Sequence, residues 1–310
     1  MKIDHILFPI DFSSHSRALN SEVEWLAAHF NSKVTLLHVL EIPTSWYGSG
    51  EATLMNSEIL IEYMESERER LKDYVINIPE ARIERVSAEG SPAWHIAKWT
   101  KDHDVDLIVM GTHGYGTFRR MILGSVAIEV LHDVHCPVWT HPAPAETKSA
   151  RTPGISSIVC SIELSDETVP LLRFTRDVAD EFGAAVRLVH TVGAEQSRPA
   201  KYFDCEFHRM VSDLAREEIA RLQQEAGTDF PLSLTGGLIA QDLSEVAVDQ
   251  HADLVVIGRG KLQGTLGSLR THAYEIIRQV PCPVLSFMMA DVRQDARHDE
   301  TPRLKEQVAG

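Results

Sequence analysis

Asp106-Leu-Ile-Val-Met-Gly111-Thr-His-Gly114-Tyr-Gly-Thr-Phe-Arg-Arg-Met-Ile-Leu-Gly124-Ser125 is the stretch that decides the fold of this 310-residue chain. A short apolar strand leads into a glycine-containing segment, which opens the helical pattern Val126-Ala-Ile-Glu-Val-Leu131. Glycines let backbone amides approach an anion without interference from a Cβ atom. The Gly-Ser pair stands where a helix begins, and the unpaired N–H groups and dipole there favour phosphate. The spacing predicts a nucleotide-phosphate cradle that is neither a Walker A loop nor Gly-x-Gly-x-x-Gly.

Composition excludes several classes of partner. The net charge of −15 argues against non-specific binding to nucleic acid and against an anionic membrane surface, both of which need a basic footprint. No apolar run approaches the roughly 20 residues of a spanning helix. The chain starts directly in a strand pattern, and its four cysteines are scattered, so we expect a cytoplasmic protein without disulfides. No metal site is predicted, because His132, His135 and Cys136 occupy a turn with no second ligand pair nearby.

The chain contains one unit twice. Val105-Asp-Leu-Ile-Val-Met-Gly111 returns as Ala252-Asp-Leu-Val-Val-Ile-Gly258, and Val134-His-Cys-Pro-Val-Trp139 returns as Val280-Pro-Cys-Pro-Val-Leu285. Two further matches follow the same order, all at offsets between 146 and 152 residues. So long a period indicates a tandem of whole domains rather than a solenoid. The predicted divisions are a first domain at 1–141, a Pro-rich linker at 142–154, a second domain at 155–290 and a charged tail at 291–310.

Within the first copy, apolar strands alternate with helical patterns. The predicted strands are Ile3–Ile10, Val34–Leu40, Arg82–Ala88, Asp106–Met110 and Pro137–His141, and the predicted helices are Arg17–Phe30, Ser57–Ile76 and Pro92–Lys101. The charged face of the second of these helices, from Glu58 to Glu69, is expected to be solvated. Strands that are apolar throughout imply a parallel sheet covered on both faces. The fold class is therefore α/β: two tandem doubly wound domains, each an open five-stranded parallel sheet with helices on both faces.

A strand order of 3-2-1-4-5 is favoured by the chemistry of the candidate site. Asp11 ends the first strand and the glycine segment follows the fourth, and open sheets bind ligands at carboxyl ends where the order reverses. In that order the two strands are neighbours, so Asp11 can accept a hydrogen bond from a ribose hydroxyl or an adenine amine while the loop holds phosphates. The fifth strands, Pro137–His141 and Pro283–Met288, then lie at sheet edges, and we expect them to bring the two copies together about a pseudo-two-fold axis.

The first copy resembles the ATP-binding subtype of the universal stress protein family. That family's Gly-x2-Gly-x9-Gly-Ser/Thr motif is matched by Gly111, Gly114, Gly124 and Ser125, and its other landmarks by Pro9-Ile10-Asp11, His38-Val39 and Cys136-Pro137-Val138. The resemblance covers nearly all of residues 1–141. The second copy keeps the signature of the fold, so the whole chain is similar to a tandem universal stress protein.

The resemblance implies a set of ligand contacts for ATP, with or without Mg²⁺. Pro9, Asp11 and Val39 would lie at the nucleoside end: Asp11 and Val39 would hold the adenosine, Val39 through backbone groups that face the base. Met110 and Gly111 would lie along the ribose and base. The phosphates would be bound by Gly114, Gly124, Ser125 and the amide of Val126. Arg119 and Arg120 either pair with phosphate charge or belong to a solvated face of the loop. Of the histidines in the chain, His113, inside the glycine segment, is the one expected to have a ligand role.

The second copy departs from the motif. Its loop reaches Gly-Ser 9 positions after the first glycine, against 13 in the first copy, and Glu163 replaces Asp11. We therefore expect the second domain to bind ATP weakly or not at all. Arg259 and Lys261 leave room there for a smaller anion.

These features favour a stress-linked regulatory nucleotide binder that meets a protein partner or forms a homodimer. Two alternatives stay open. One is a slow ATPase or phosphotransfer enzyme, although the glycine segment carries no Lys and no Asp-rich companion motif is evident. The other is an interaction protein with a vestigial site that binds no nucleotide.

Overall fold

The structure, a computed structural model, describes residues 1–41, 56–112, 123–141, 154–192, 205–259 and 268–288. The first half contains β1 His5–Pro9, α1 Ser14–Ala18, α2 Asn20–Phe30, β2 Lys33–Leu40, α3 Asn56–Lys72, β3 Ile83–Glu89, α4 Pro92–Asp102, β4 Leu107–Gly111, α5 Ser125–Asp133 and β5 Val138–His141. The second half contains β6 Ser157–Ser161, α6 Thr168–Phe182, β7 Ala185–Thr191, α7 Cys205–Ala226, β8 Leu232–Thr235, α8 Ile239–Asp249, β9 Leu254–Arg259, α9 Ser268–Gln279 and β10 Val284–Met288.

All these strands belong to one sheet in the order β3-β2-β1-β4-β5-β10-β9-β6-β7-β8. Each half therefore has the predicted order 3-2-1-4-5, and every pairing within a half is parallel. The two halves are joined by the one antiparallel pair in the described sheet, β5 with β10. The predicted fold class is confirmed, and the two five-stranded sheets are continuous with each other.

The β5–β10 pair is arranged symmetrically. Trp139 lies opposite Leu285, and these are equivalent positions of the two copies, so the pseudo-two-fold axis passes between them. The Thr140 hydroxyl donates to Val284 O at 3.2 Å, and the equivalent Ser286 hydroxyl donates to Val138 O at 3.2 Å. The expected meeting of the fifth strands occurs within one chain. Because β10 covers the edge of β5, any association between whole chains has to use another surface.

Each face of the sheet is covered by a core that runs through both halves. On one face the apolar sides of α2, α3, α6 and α7 contribute residues such as Leu26, Leu71, Leu172 and Ile219. On the other face α4, α5, α8 and α9 contribute residues such as Ile96, Val130, Leu243 and Ile276. The strands between them are apolar on both faces because neither face meets water.

The first helical segment differs from its prediction. Apolar spacing over Arg17–Phe30 predicted one helix, whereas two helices meet at Leu19. Ser13 caps the first of them, its Oγ accepting a hydrogen bond from Ser16 N at 3.1 Å. Leu19 N then donates to Ser16 O, an i→i−3 bond that tightens the turn. The apolar spacing continues through this backbone change and gives no sign of it.

The long helix of the first half is also shorter than predicted. The pattern over Ser57–Ile76 predicted helix throughout, but α3 ends at Lys72. Tyr74 is buried just beyond that end, and its hydroxyl donates to Asn20 Oδ1 at 2.7 Å. The turn that buries Tyr74 and Ile76 beneath α2 therefore ends the helix, a tertiary requirement that local spacing does not express.

An aspartate ties the start of the fourth strand of each half to the start of the first. Asp106 Oδ2 accepts from the backbone N–H groups of Asp4 and His5 at 2.8 and 2.9 Å. Asp253 Oδ2 accepts from Ser156 N and Ser157 N at 2.9 and 3.1 Å and also from the Ser156 hydroxyl at 2.8 Å. These carboxylates satisfy amides that no neighbouring strand reaches.

We expect Asp253→Ala to lower the free energy of unfolding by about 2 kcal/mol, because it leaves donors at the start of β6 without a charged acceptor. Asp249→Ala, at an exposed position on α8, is the control and should change it by less than about 0.5 kcal/mol. Urea denaturation followed by circular dichroism measures both. Equal effects of the two substitutions would contradict the assigned role of Asp253.

Candidate functional site

The candidate site is the edge of the sheet at which β1 and β4 both end. The two strands are parallel neighbours, with Leu7 beside Ile108. Asp11 follows β1, and Gly111 is the last residue of β4. The strand order reverses here, because β2 and β3 lie beyond β1 while β5 lies beyond β4. Open α/β sheets bind ligands at such a switch point.

The backbone after β1 fixes the orientation of Asp11. Asp11 Oδ1 accepts a hydrogen bond from Ser13 N at 2.9 Å, while Oδ2 makes none within the described residues. Between them Phe12 has a φ of 59°, a conformation that costs free energy for a bulky side chain. Its buried ring holds it there, 4.5 Å from the ring of His38 and 4.4 Å from the Arg70 guanidinium carbon. The turn therefore uses one of the two carboxylate oxygens of Asp11.

Helix α5 begins at the same edge. Gly124 is its N-cap residue, and Gly124 N donates to Thr112 O at 2.9 Å, which ties the start of the helix to the end of β4. No side chain of the described residues caps α5, whereas Ser91 caps α4 through its hydroxyl. The first-turn amides, including those of Ser125 and Val126, therefore lack an intrahelical or side-chain acceptor. This is the arrangement that suits an anion.

The other predicted contacts flank this edge. Pro9, Val39 and Met110 each lie within the last two residues of their strands. Met110 is buried, whereas Pro9 and Val39 are partly exposed. Gly114 lies outside the described residues, as do His113, Arg119 and Arg120. The structure thus brings the described candidates together at one end of the sheet.

A buried cluster on α3 was missed by the sequence analysis. Glu67, expected on a solvated face, has a side chain that is only 13% exposed. Its Oε2 lies 3.4 Å from His38 Nε2, and its Oε1 lies 3.3 Å from Arg70 Nη1. His38 Nδ1 donates to Ile10 O at 2.9 Å, so the cluster braces the backbone just before Asp11. No pattern separates Glu67 from the other glutamates of α3, because only packing against β2 selects it.

The corresponding edge of the second domain holds a shallow crevice that is open to solvent. Glu163 and Glu167 contribute two carboxylates to its wall, and Leu171, Ile257 and Ile276 contribute apolar surface. Burial raises the pKa of the Glu163 carboxyl above its ordinary value, and the charge of Glu167 raises it further. A phosphate chain entering this crevice would meet acidic groups of its own sign.

Helix α9 also begins differently from α5. Ser125 precedes the first residue of β5 by 13 positions, whereas Ser268 precedes the first residue of β10 by 16. Helix α9 therefore has about one more turn at its N-terminus, and His272 stands where Val126 stands in the first domain. The amide of His272 lies inside the helix, where it bonds to the preceding turn.

Arg259, at the end of β9, is not available to bind an anion in this crevice. The expectation that Arg259 helps to hold a smaller anion in the second domain is therefore wrong. Its side chain is buried against the first domain. Nη1 donates to Leu131 O at 2.6 Å and to Val134 O at 3.4 Å, and Nη2 donates to Cys136 O at 2.7 Å. Lys261, the other residue in that expectation, lies outside the described residues.

Two kinds of feature are absent from the described ranges. No helix there is long and apolar enough to cross a membrane. No group of three or more His, Cys, Asp and Glu side chains there is arranged to hold a metal ion. Among the residues considered for such a site, His132 is exposed and pairs with Asp133.

The sequence and fold can be compared with known proteins. The sequence profile of the universal stress protein family matches residues 2–142 and again residues 154–287. A universal stress protein of Methanocaldococcus jannaschii is 29% identical over 142 residues, which cover 45% of this chain and 82% of the relative. Universal stress protein A homolog 1 of Coxiella burnetii is 31% identical over 141 residues, which cover 44% of this chain and 95% of the relative.

The whole chain also resembles solved structures. A universal stress protein from Archaeoglobus fulgidus superposes with a TM-score of 0.61 at 17% identity, over 94% of this chain and 100% of that one. A functionally unknown protein of Pseudomonas aeruginosa gives 0.59 at 18% identity, over 96% of both chains. These identities establish the fold alone, whereas the two profile matches cover most of the sequence. The chain belongs to the universal stress protein family and carries two of its domains in tandem.

Proposed function

We propose that the first domain binds ATP and that the protein is a stress-response regulator whose association with a partner, or with itself, follows nucleotide occupancy. The observation that carries the proposal is that the uncapped start of α5 and the Asp11 carboxylate lie at the same edge of the sheet, where β1 and β4 end. A nucleotide has a phosphate chain for the helix amides and a ribose hydroxyl or adenine amine for the carboxylate.

The phosphate end of the ligand is assigned to α5. The amides of Ser125 and Val126 would donate to phosphate oxygens, and the absence of a Cβ at Gly124 allows close approach. The helix dipole favours negative charge at the same point. Gly114, from the segment outside the described residues, would complete this end. Mg²⁺, if it accompanies the nucleotide, would neutralise part of the phosphate charge.

The nucleoside end is assigned to β1, β2 and β4. Asp11 Oδ2 is the acceptor for a ribose hydroxyl or an adenine amine, because Oδ1 is already used by Ser13 N. Backbone groups of Val39 would face the base, and Pro9, Met110 and Gly111 would supply the adjoining surface. The cluster of Phe12, His38 and Glu67 keeps the Asp11 turn in place without contacting the ligand.

Regulation by binding fits this chemistry better than turnover does. Phosphoryl transfer needs a positioned base and concentrated positive charge. In the described part of the site, His38 is held between Ile10 O and Glu67, and one oxygen of Asp11 is bonded within its own turn. No specific observation favours an enzyme. The slow ATPase therefore stays an alternative, and a multiple-turnover assay tests it.

We expect one adenine nucleotide per chain. The first domain offers an uncapped helix start, whereas the second has two carboxylates, a longer helix and an arginine committed elsewhere. The protein is saturated with ATP, passed through gel filtration and denatured. Mass spectrometry of the released ligand then gives the number of nucleotides per chain. Two nucleotides per chain would refute the assignment to the first domain alone, and none at millimolar ATP would refute the proposal.

Asp11→Ala should weaken ATP binding by roughly 10- to 100-fold, the loss expected for one hydrogen bond to a charged group. Glu163→Ala makes the equivalent change in the second domain and should leave ATP affinity within about twofold of the unmodified protein. Titration calorimetry measures both. An equal loss in the two variants would mean that the carboxylates act on stability rather than on the ligand.

Gly124→Val should also weaken ATP binding, because a branched side chain would occupy the space next to the first-turn amides of α5. The backbone φ of Gly124 is −61°, a value that valine tolerates, so a folded protein is expected. Circular dichroism checks the fold, and calorimetry the affinity. Unchanged affinity in a folded variant would remove α5 from the phosphate site.

A further inference from the structure

We propose that Arg259, a residue of the second domain, is a positioning residue for the phosphate end of the first-domain site and acts through α5. The inference rests on the proposed function and deepens it, because it makes nucleotide affinity in one domain depend on contact with the other.

The contact lies at the C-terminus of α5. Arg259 bonds the carbonyl oxygens of Leu131, Val134 and Cys136, which belong to the last turn of the helix and the residues that follow it. Carbonyls at a helix end have no intrahelical donor, so a guanidinium with several N–H groups is suited to satisfy them. The side chain is 6% exposed, so these bonds form out of water, where they count most.

The charge of Arg259 is balanced by the helix rather than by an acid. No carboxylate forms an ion pair with Arg259 within the described residues, and the negative end of the α5 dipole faces the guanidinium. Burial lowers the pKa of Arg259 to about 10, which leaves it charged at neutral pH. Burial also raises the pKa of the Cys136 thiol to about 12, so the neighbouring sulfur stays protonated and supplies no counter-charge.

Helix α5 connects this contact to the proposed phosphate site. It has nine residues and is about 13 Å long, so both ends move with the same rigid body. Its N-terminus presents the amides of Ser125 and Val126, and its C-terminus is fixed by Arg259. A second contact from the second domain, the Tyr274 hydroxyl donating to Ile128 O at 3.4 Å, holds the middle of the helix.

The first domain has a different residue type at the equivalent position. That position is Thr112, whose hydroxyl donates to His141 O at 3.3 Å within its own domain. The guanidinium contact is therefore made by the domain with the altered motif to the helix of the domain with the intact motif.

The experiment compares two ligands. Because the phosphates are assigned to α5 and the nucleoside to the strand ends, Arg259→Met should weaken ATP binding about tenfold while changing adenosine affinity by less than about twofold. Arg259→Lys keeps the charge and three N–H donors but loses the planar fork of the guanidinium, so it should recover part of the ATP affinity. Titration calorimetry with ATP and with adenosine gives the ratio of the two affinities for each variant.

Arg82→Met is the matched control. Arg82 Nη1 donates to Ala27 O at 2.9 Å and Ser32 O at 3.4 Å, so it also caps a helix end, but that helix is α2. The substitution removes a comparable arginine–carbonyl contact from the first domain without touching α5. It should leave the ratio of ATP to adenosine affinity unchanged, even if it lowers the melting temperature.

The outcomes separate this inference from the function on which it rests. If the unmodified protein binds neither ligand, the proposed function fails and this inference fails with it. If the unmodified protein binds ATP and Arg259→Met lowers both affinities equally, or neither, the inference alone is overturned. Should Arg259→Met not fold, Tyr274→Phe decides, since a reduced ATP-to-adenosine ratio supports the role of α5 and an unchanged ratio refutes it.

Discussion

The antiparallel pairing of β5 with β10 is the constraint on which the rest of the molecule depends. Each half of the chain ends its parallel sheet in a strand with one unpaired edge, and such an edge is open to pairing with another strand. Here the two edges cover each other, and the hydroxyls of Thr140 and Ser286 add symmetric bonds across the joint. Both hydrophobic cores then extend across it.

The direction of that pairing decides which parts of the two domains meet. Because β5 and β10 run in opposite directions, the carboxyl end of one parallel sheet lies beside the amino end of the other. The end of β9 therefore comes close to the C-terminus of α5, and Arg259 can reach the carbonyls of Leu131 and Cys136. A parallel joint would have placed two ligand-binding edges side by side. The contact between a site in one domain and a helix cap from the other follows from this geometry.

Much of the architecture could be predicted from local pattern. The repeated apolar strands, the helices between them and the strand order of each half agree with the structure. The predictions of helix bounds and of side-chain exposure were wrong where tertiary contacts override the apolar spacing along the chain. The break at Leu19 goes with the i→i−3 bond from Leu19 N to Ser16 O, the early end of α3 with the burial of Tyr74, and the burial of Glu67 with its approach to His38. Apolar periodicity reports which side chains avoid water, and it is silent about polar groups that are buried in pairs.

The sequence by itself determined the repeat, the α/β class and the candidate residues around Asp11 and Gly124, because these depend on composition, spacing and backbone requirements along the chain. Only the tertiary structure decided where Arg259 goes. In the sequence alone, a basic residue beside a glycine in a degenerate motif predicts an anion-binding site. In the folded chain the same guanidinium is surrounded by carbonyl oxygens of another domain, and a hydrogen bond between residues more than a hundred positions apart is not encoded by either local pattern.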